Sequence, residues 1–243
     1  MIRRKNLSQI YEILLKEFGP QNWWPADSLF EVIAGAVLTQ NTNWTNVSRA
    51  IANLKKEELL APQRIASVDK RKLITAIRPS GFYNQKASYL KGISRYIIER
   101  YSGDLGKMSR AETGILRDEL LAIKGLGPET ADSILLYALD KPVFVIDSYT
   151  RRIFSRHGVE IKDADYAAWQ ECFESNLPRD AVMFNEYHAL IVRLAKERCR
   201  KKPDCRDCPL EGITIANPFP RSGPPVRGRG RKGAGADIIH EID

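Results

Sequence analysis

The chain contains no apolar run long enough to cross a bilayer, which excludes a membrane-spanning helix at the level of sequence. Its opening stretch, MIRRKNLSQIYEILLKEFG, is basic but lacks the continuous apolar core and small-residue cleavage site of a secretory signal. Both absences point to the cytoplasm, where thiols stay reduced, so the four cysteines are not expected to form disulfides. Apolar residues make up 43% of the 243, enough for a sizeable core in one or two domains. Thirty-eight Lys and Arg against 30 Asp and Glu give a formal net charge of +8. That balance suits a polyanionic partner without identifying one, since many basic proteins bind no nucleic acid.

The most informative stretch is LRDELLAIKGLGPETADSILLYALDKPVFVIDSYTRR, from Leu116 to Arg152. Leu116, Leu120 and Ile123 recur at helical spacing, and Gly125 and Gly127 then break the helix. Pro128 suits a first helical position, where its missing N–H costs nothing. Ala131, Ile134, Leu135 and Ala138 supply a second apolar stripe. The spacing therefore predicts a helix, a glycine hairpin and a second helix. Backbone N–H groups at Gly125 and Gly127, with Lys124 beside them, make a site for an anion such as a backbone phosphate. An ordinary helical corner fits the same residues about equally well, because a lone G-x-G pattern is weak. After the buried run Val143–Ile146, Asp147 should cap a further helix that carries Arg151 and Arg152.

GLGPETADSILLYAL followed by VIDSYTRR resembles the helix-hairpin-helix and aspartate motif of the endonuclease III superfamily of DNA glycosylases. In that family the aspartate matching Asp147 is catalytic. Bifunctional members carry a lysine nucleophile two residues after the second hairpin glycine, where this chain has Glu129. The substitution implies a monofunctional, water-using enzyme without lyase activity, in which Glu129 helps to position water or a pocket group.

The resemblance covers roughly Tyr11 to Lys196. NWWP, LTQNT and RPSGFYNQKA bring it nearest to the 3-methyladenine branch. On residues alone, adjacent Trp23 and Trp24 in a loop are either a lid over the core or a stacking surface. The resemblance makes Trp23, Trp24, Pro25 and Trp44 walls of a pocket for the flipped base, with Lys196 nearby. It gives Gln40 the gap left in the duplex, and Phe82 the role of a wedge that unstacks a base step. By residue type alone Phe82 reads as core filling, and His188 reads as structural. Lys124, Gly125, Gly127 and Arg151 complete the DNA-contacting set.

Cys199, Cys205 and Cys208 read C-x5-C-x2-C. Relatives use C-x6-C-x2-C-x5-C to hold a [4Fe–4S] cluster on four thiolates. Here the first gap is one residue short, and Thr214 stands where the fourth cysteine would be. A cluster with an incomplete cysteine set, a zinc site with a distant fourth ligand, and a metal-free loop all remain open. From Asn217 the chain is rich in proline, glycine and arginine and should be a disordered basic tail.

The expected fold is all-α in two helical lobes with a DNA-binding cleft between them. One is a helical barrel over 26–141 that includes the hairpin; the other combines 1–25 with 142–216, and 217–243 is tail. The expected function is excision of alkylated purines such as 3-methyladenine from double-stranded DNA by a nucleoid-associated monomer. A bifunctional endonuclease III-like lyase, a mismatch glycosylase and a non-catalytic DNA-binding module are the alternatives.

Overall fold

A computed structural model describes residues 3–161 and 165–215 of the chain. The fold is all-α apart from one small parallel strand pair, and among the described residues no helix is long and apolar enough to cross a membrane. The chain divides into two compact units, one spanning 24–142 and the other built from 3–23 and 143–215. The proline-, glycine- and arginine-rich tail from 217 onward lies outside the described residues.

In the 24–142 unit, α2 (Leu29–Leu38) is the central element. Ser28 caps it, its hydroxyl accepting from Glu31 N at 3.2 Å, and nine of its ten residues are buried. A helix apolar on every side must be surrounded, and this one is. The next helix, α3 (Trp44–Lys56), is capped by Asn43 and turns Val47, Ala50, Ile51 and Leu54 inward. Two short helices follow, α4 (Pro62–Ser67) and α5 (Lys70–Ile77), the first begun by Pro62 and the second capped by Asp69. A 3-10 turn, Arg78–Ser80, leads through Gly81 and Phe82 into the long helix α6 (Tyr83–Tyr101).

After α7 (Leu105–Ser109), the hairpin is made by α8 (Thr113–Leu121) and α9 (Pro128–Ser133). The second hairpin helix is shorter than its apolar stripe suggested. It ends as α-helix at Ser133 and continues as a π-helical segment, Ile134–Ala138. Arg117 clamps the two hairpin helices together. Its Nε and Nη2 donate to the two carboxylate oxygens of Asp132 at 2.7 and 3.0 Å. Asp132 is fully buried, so this two-pronged pair also neutralises a carboxylate in the core.

In the other unit, α1 (Leu7–Phe18) packs along α12 (Ala181–Glu197), and the hydroxyl of buried Tyr187 donates to Leu7 O at 2.8 Å. Phe144 stacks on Phe173 at 4.3 Å and meets Phe184 edge-on at 5.2 Å. The first of these partners lies in α11 (Tyr166–Glu174). Val143–Ile146 is buried throughout, which fixes the chain entering α10 (Ser148–Arg156). The all-α expectation holds, with one short strand pair that the sequence did not show. Strand β1 (Arg3–Lys5) runs parallel to β2 (Ile213–Ile215), with Arg4 opposite Thr214. Three-residue strands carry too little alternation to show in a sequence.

Candidate active site

The hairpin turn is built around Gly125, whose φ of +89° is the left-handed conformation that favours glycine. A Cβ there would also run into the Tyr89 ring. Leu126, at 4% exposure, anchors the turn in the core, and Lys124 projects into solvent. Gly127 begins α9 without any side-chain cap, so the first N–H groups of that helix are not covered by its own capping residue. Glu129, half-buried, occupies the second position of α9. Gln40 is not extended toward a ligand. Its amide donates to Gly125 O at 3.0 Å and to Thr130 Oγ1 at 2.9 Å, bracing the hairpin from the end of α2.

Phe82 is 59% exposed and has a φ of +44°, a conformation an aromatic residue rarely adopts. The core-filling expectation from residue type is therefore wrong: Gly81 (φ +67°) and the left-handed Phe82 turn the ring outward.

In the same unit, Trp24, Pro25 and Trp44 line a cavity of about 280 Å³ together with Glu31, Gly35 and Lys55. Trp24 and Trp44 meet edge-to-face at 4.9 Å, with 80° between their planes. They are adjoining walls, not two parallel plates with a slot between them. Trp24 also leans on Tyr137, in the π-helical segment, at 5.4 Å. Gly35 makes this arrangement possible, because a Cβ there would lie 2.8 Å from Trp24 Cζ2. Glu31 adds a nearly buried carboxylate, held by Lys55 at 2.7 Å and accepting from Asp27 N at 3.0 Å. Trp23, half-buried, does not line this cavity and belongs to the other unit.

Asp147 caps α10. Its Oδ1 accepts from Thr150 N at 2.7 Å and from Thr150 Oγ1 at 2.8 Å. Its Oδ2 faces His188 Nε2, on α12, at 3.5 Å. Burial pushes the carboxyl up, but His188 and the two Thr150 bonds outweigh it and hold Asp147 below its ordinary value. The side chain is thus a carboxylate at neutral pH, 12% exposed, with one oxygen fixed by the cap and the other turned to an imidazole. His188 lies 41 positions from Asp147, and nothing in the sequence couples them. Lys196 is exposed on α12; crowding around its ammonium lowers its pKa and the Asp147 charge opposes that shift. Arg151 is half-buried in α10.

The three loop cysteines differ in setting. Cys199 is buried and its Sγ lies 3.2 Å from Arg156 Nη1, Cys208 is half-buried, and Cys205 is exposed. Burial, then the nearby Cys205 and Cys199, push the Cys208 thiol up against a backbone bond from Leu210. Cys172 is fully buried in α11, and burial pushes it up to about 12. Among the described residues, no group of three or more His, Cys, Asp or Glu side chains is placed to hold a metal ion. The donor set does not fit a four-thiolate cluster. Arg156 instead ties the loop by direct bonds to Arg200 O at 2.6 Å and Lys201 O at 2.9 Å.

Residues 34–179 match the family model described as HhH-GPD superfamily base excision DNA repair protein. A Methanocaldococcus jannaschii protein, named provisionally as a DNA repair glycosylase, is 54% identical over 86% of this chain and 95% of its own. Endonuclease III of Sulfolobus acidocaldarius is 33% identical over 74% of this chain and 79% of its own. Among solved structures, the Helicobacter pylori 3-methyladenine DNA glycosylase MagIII, bound to 1,N6-ethenoadenine, is 32% identical. It superposes with a TM-score of 0.67 over 79% of this chain and 98% of that one.

Proposed function

The chain belongs to the HhH-GPD superfamily of base excision DNA repair proteins and is a DNA glycosylase; from that premise we propose that it hydrolyses the N-glycosidic bond of alkylated purines such as 3-methyladenine without lyase activity. The observation that carries this reading is Glu129. A carboxylate stands at the second position of α9, where the lyase members present an amine. The likeness to an enzyme named for 3-methyladenine supports the substrate class.

The chemistry follows from the lesion. A methylated purine is cationic and leaves readily, so no general acid is required. It is attracted to electron-rich rings, each good contact contributing roughly 0.5–2 kcal/mol, and Trp24 and Trp44 supply two. Glu31 and Lys55 in the same cavity form a polar edge. Asp147 opposes the positive charge that develops on the sugar, and its Oδ2 orients the attacking water. Thr150 and His188 hold that carboxylate in its charged form. On the DNA side, Lys124, Arg151 and the N–H groups at Gly125 and Gly127 take backbone phosphates, and Phe82 wedges a base step open. Gln40 enters the vacated gap only by releasing Gly125 O and Thr130 Oγ1. Base flipping completes the complex. The reaction draws nothing from the cysteine loop. The protein acts as a monomer on the DNA of the cytoplasm. Chromatography of bases released from methylated duplex tests the reading: free 3-methyladenine is expected, and release of only mismatched or oxidised pyrimidines would replace it.

A further inference from the structure

A lysine that the proposed reaction does not use lies buried between the two turns that would enter the duplex. Lys86, on the second turn of α6, is 1% exposed. Its Nζ donates to Ser80 O at 2.6 Å and to Leu38 O at 2.8 Å. Ser80 closes the 3-10 turn, two residues before Phe82, and Leu38 is the last residue of α2, two residues before Gln40. Both carbonyls end a helical segment and have no acceptor role left within it. A lysine is almost never placed so deep without a task, because its charge is expensive to desolvate.

The rest of the arrangement leans on this bridge. Phe82 is exposed and left-handed, its carbonyl accepting from Gln85 N and Lys86 N at 3.0 Å, so the wedge turn is tied directly to the start of the helix that carries Lys86. Ser80, itself fully buried, turns its hydroxyl back to Ile77 O at 2.7 Å, so its carbonyl is the contact between this turn and the neighbouring helix end. From Gln40 the chain of bonds continues to Gly125 O and Thr130 Oγ1. One path therefore runs from the wedge turn through Lys86 to the end of α2 and on to the hairpin.

We infer that Lys86 is a positioning residue that sets the Phe82 wedge in register with the Gln40 end of α2, so that the two enter the duplex as a unit. The inference rests on the proposed roles of Phe82 and Gln40. Burial lowers Lys86 to about 8, and a neutral amine still has two hydrogens for the two carbonyls, so the bridge does not require the charge.

The test uses the full chain and methylated DNA, presented as duplex and again as separated strands, with release of 3-methyladenine measured for wild type, Lys86→Met, Lys86→Gln, Phe82→Ala and the Lys86→Met/Phe82→Ala pair. Separated strands need no wedge. Expected is a fall of about tenfold or more in the duplex-to-single-strand activity ratio for Lys86→Met, a smaller fall for Lys86→Gln, and no further fall in the double variant beyond Phe82→Ala alone. Equal losses of Lys86→Met on both substrates, or additive losses in the double variant, would make Lys86 a purely structural residue and overturn the inference. A Phe82→Ala enzyme with an unaltered ratio would overturn the wedge reading instead. Where Lys86→Met folds poorly, Lys86→Gln carries the same comparison.

Discussion

Replacing Asp147 by Asn removes a charge and little else. Asn is as good a helix cap as Asp, and its side-chain oxygen can still accept from Thr150 N. α10 should therefore persist and DNA binding should survive. On the proposed mechanism, the lost quantity is the attraction between a carboxylate and the positive charge developing on the sugar. For unit charges about 4 Å apart at an effective dielectric near 20, that attraction is about 4 kcal/mol. At about 1.36 kcal/mol per tenfold, the turnover of Asp147→Asn should fall by about 10³. The assay is single-turnover release of 3-methyladenine with duplex affinity measured in parallel. Turnover within tenfold of wild type, or a loss confined to affinity, would refute the reasoning. A stability comparison checks the electrostatics separately. Because the folded-state pKa of Asp147 is depressed, its charge contributes stability that is present above the ordinary carboxylate range, near 4, and is lost as pH falls through the folded value. The difference in Tm between wild type and Asp147→Asn should narrow on acidification through the folded value.

Three further outcomes follow from the same structure. Gly35→Ala places a methyl 2.8 Å from Trp24 Cζ2, so the ring must move; about 1–3 kcal/mol of stability and part of the base-release activity should be lost, read by thermal unfolding and tryptophan fluorescence. Arg117→Met deprives fully buried Asp132 of its guanidinium and should cost about 3–5 kcal/mol, with Arg117→Met/Asp132→Leu recovering most of it in denaturant unfolding. Borohydride added during reaction with abasic DNA should trap no covalent complex, because position 129 offers a carboxylate; efficient trapping on gels would show that another amine serves as nucleophile.

What could be read from the sequence was local. Gly125 and Pro128 announce the hairpin because each has a backbone property that other residues lack. Asp147 marks a helix start through a side chain that bonds its own backbone, and it is found capping. Contacts across long sequence separations were not legible. Arg117 on Asp132 and Lys86 under two turns are charged residues that residue type assigns to solvent, and His188 read as structural with no sign of its partner Asp147. The end of α9 as a π-helical segment was equally hidden, since the apolar stripe continues through it. Adjacent Trp23 and Trp24 read as a pair, yet only the second lines the cavity, and it does so because Gly35 leaves room 11 residues away. The cysteine spacing left a cluster, a zinc site and a metal-free loop open, and what it did not reveal is that the thiols differ in burial and that Arg156 lies against Cys199.

The most direct measurement incubates purified protein with methylated duplex DNA, quantifies free bases by chromatography, and scores strand breaks before and after alkali. The account predicts free 3-methyladenine with breaks that appear only after alkali, because position 129 offers a carboxylate in place of an amine nucleophile. Breaks without alkali, on oxidised pyrimidines and with no methylpurine released, would contradict it.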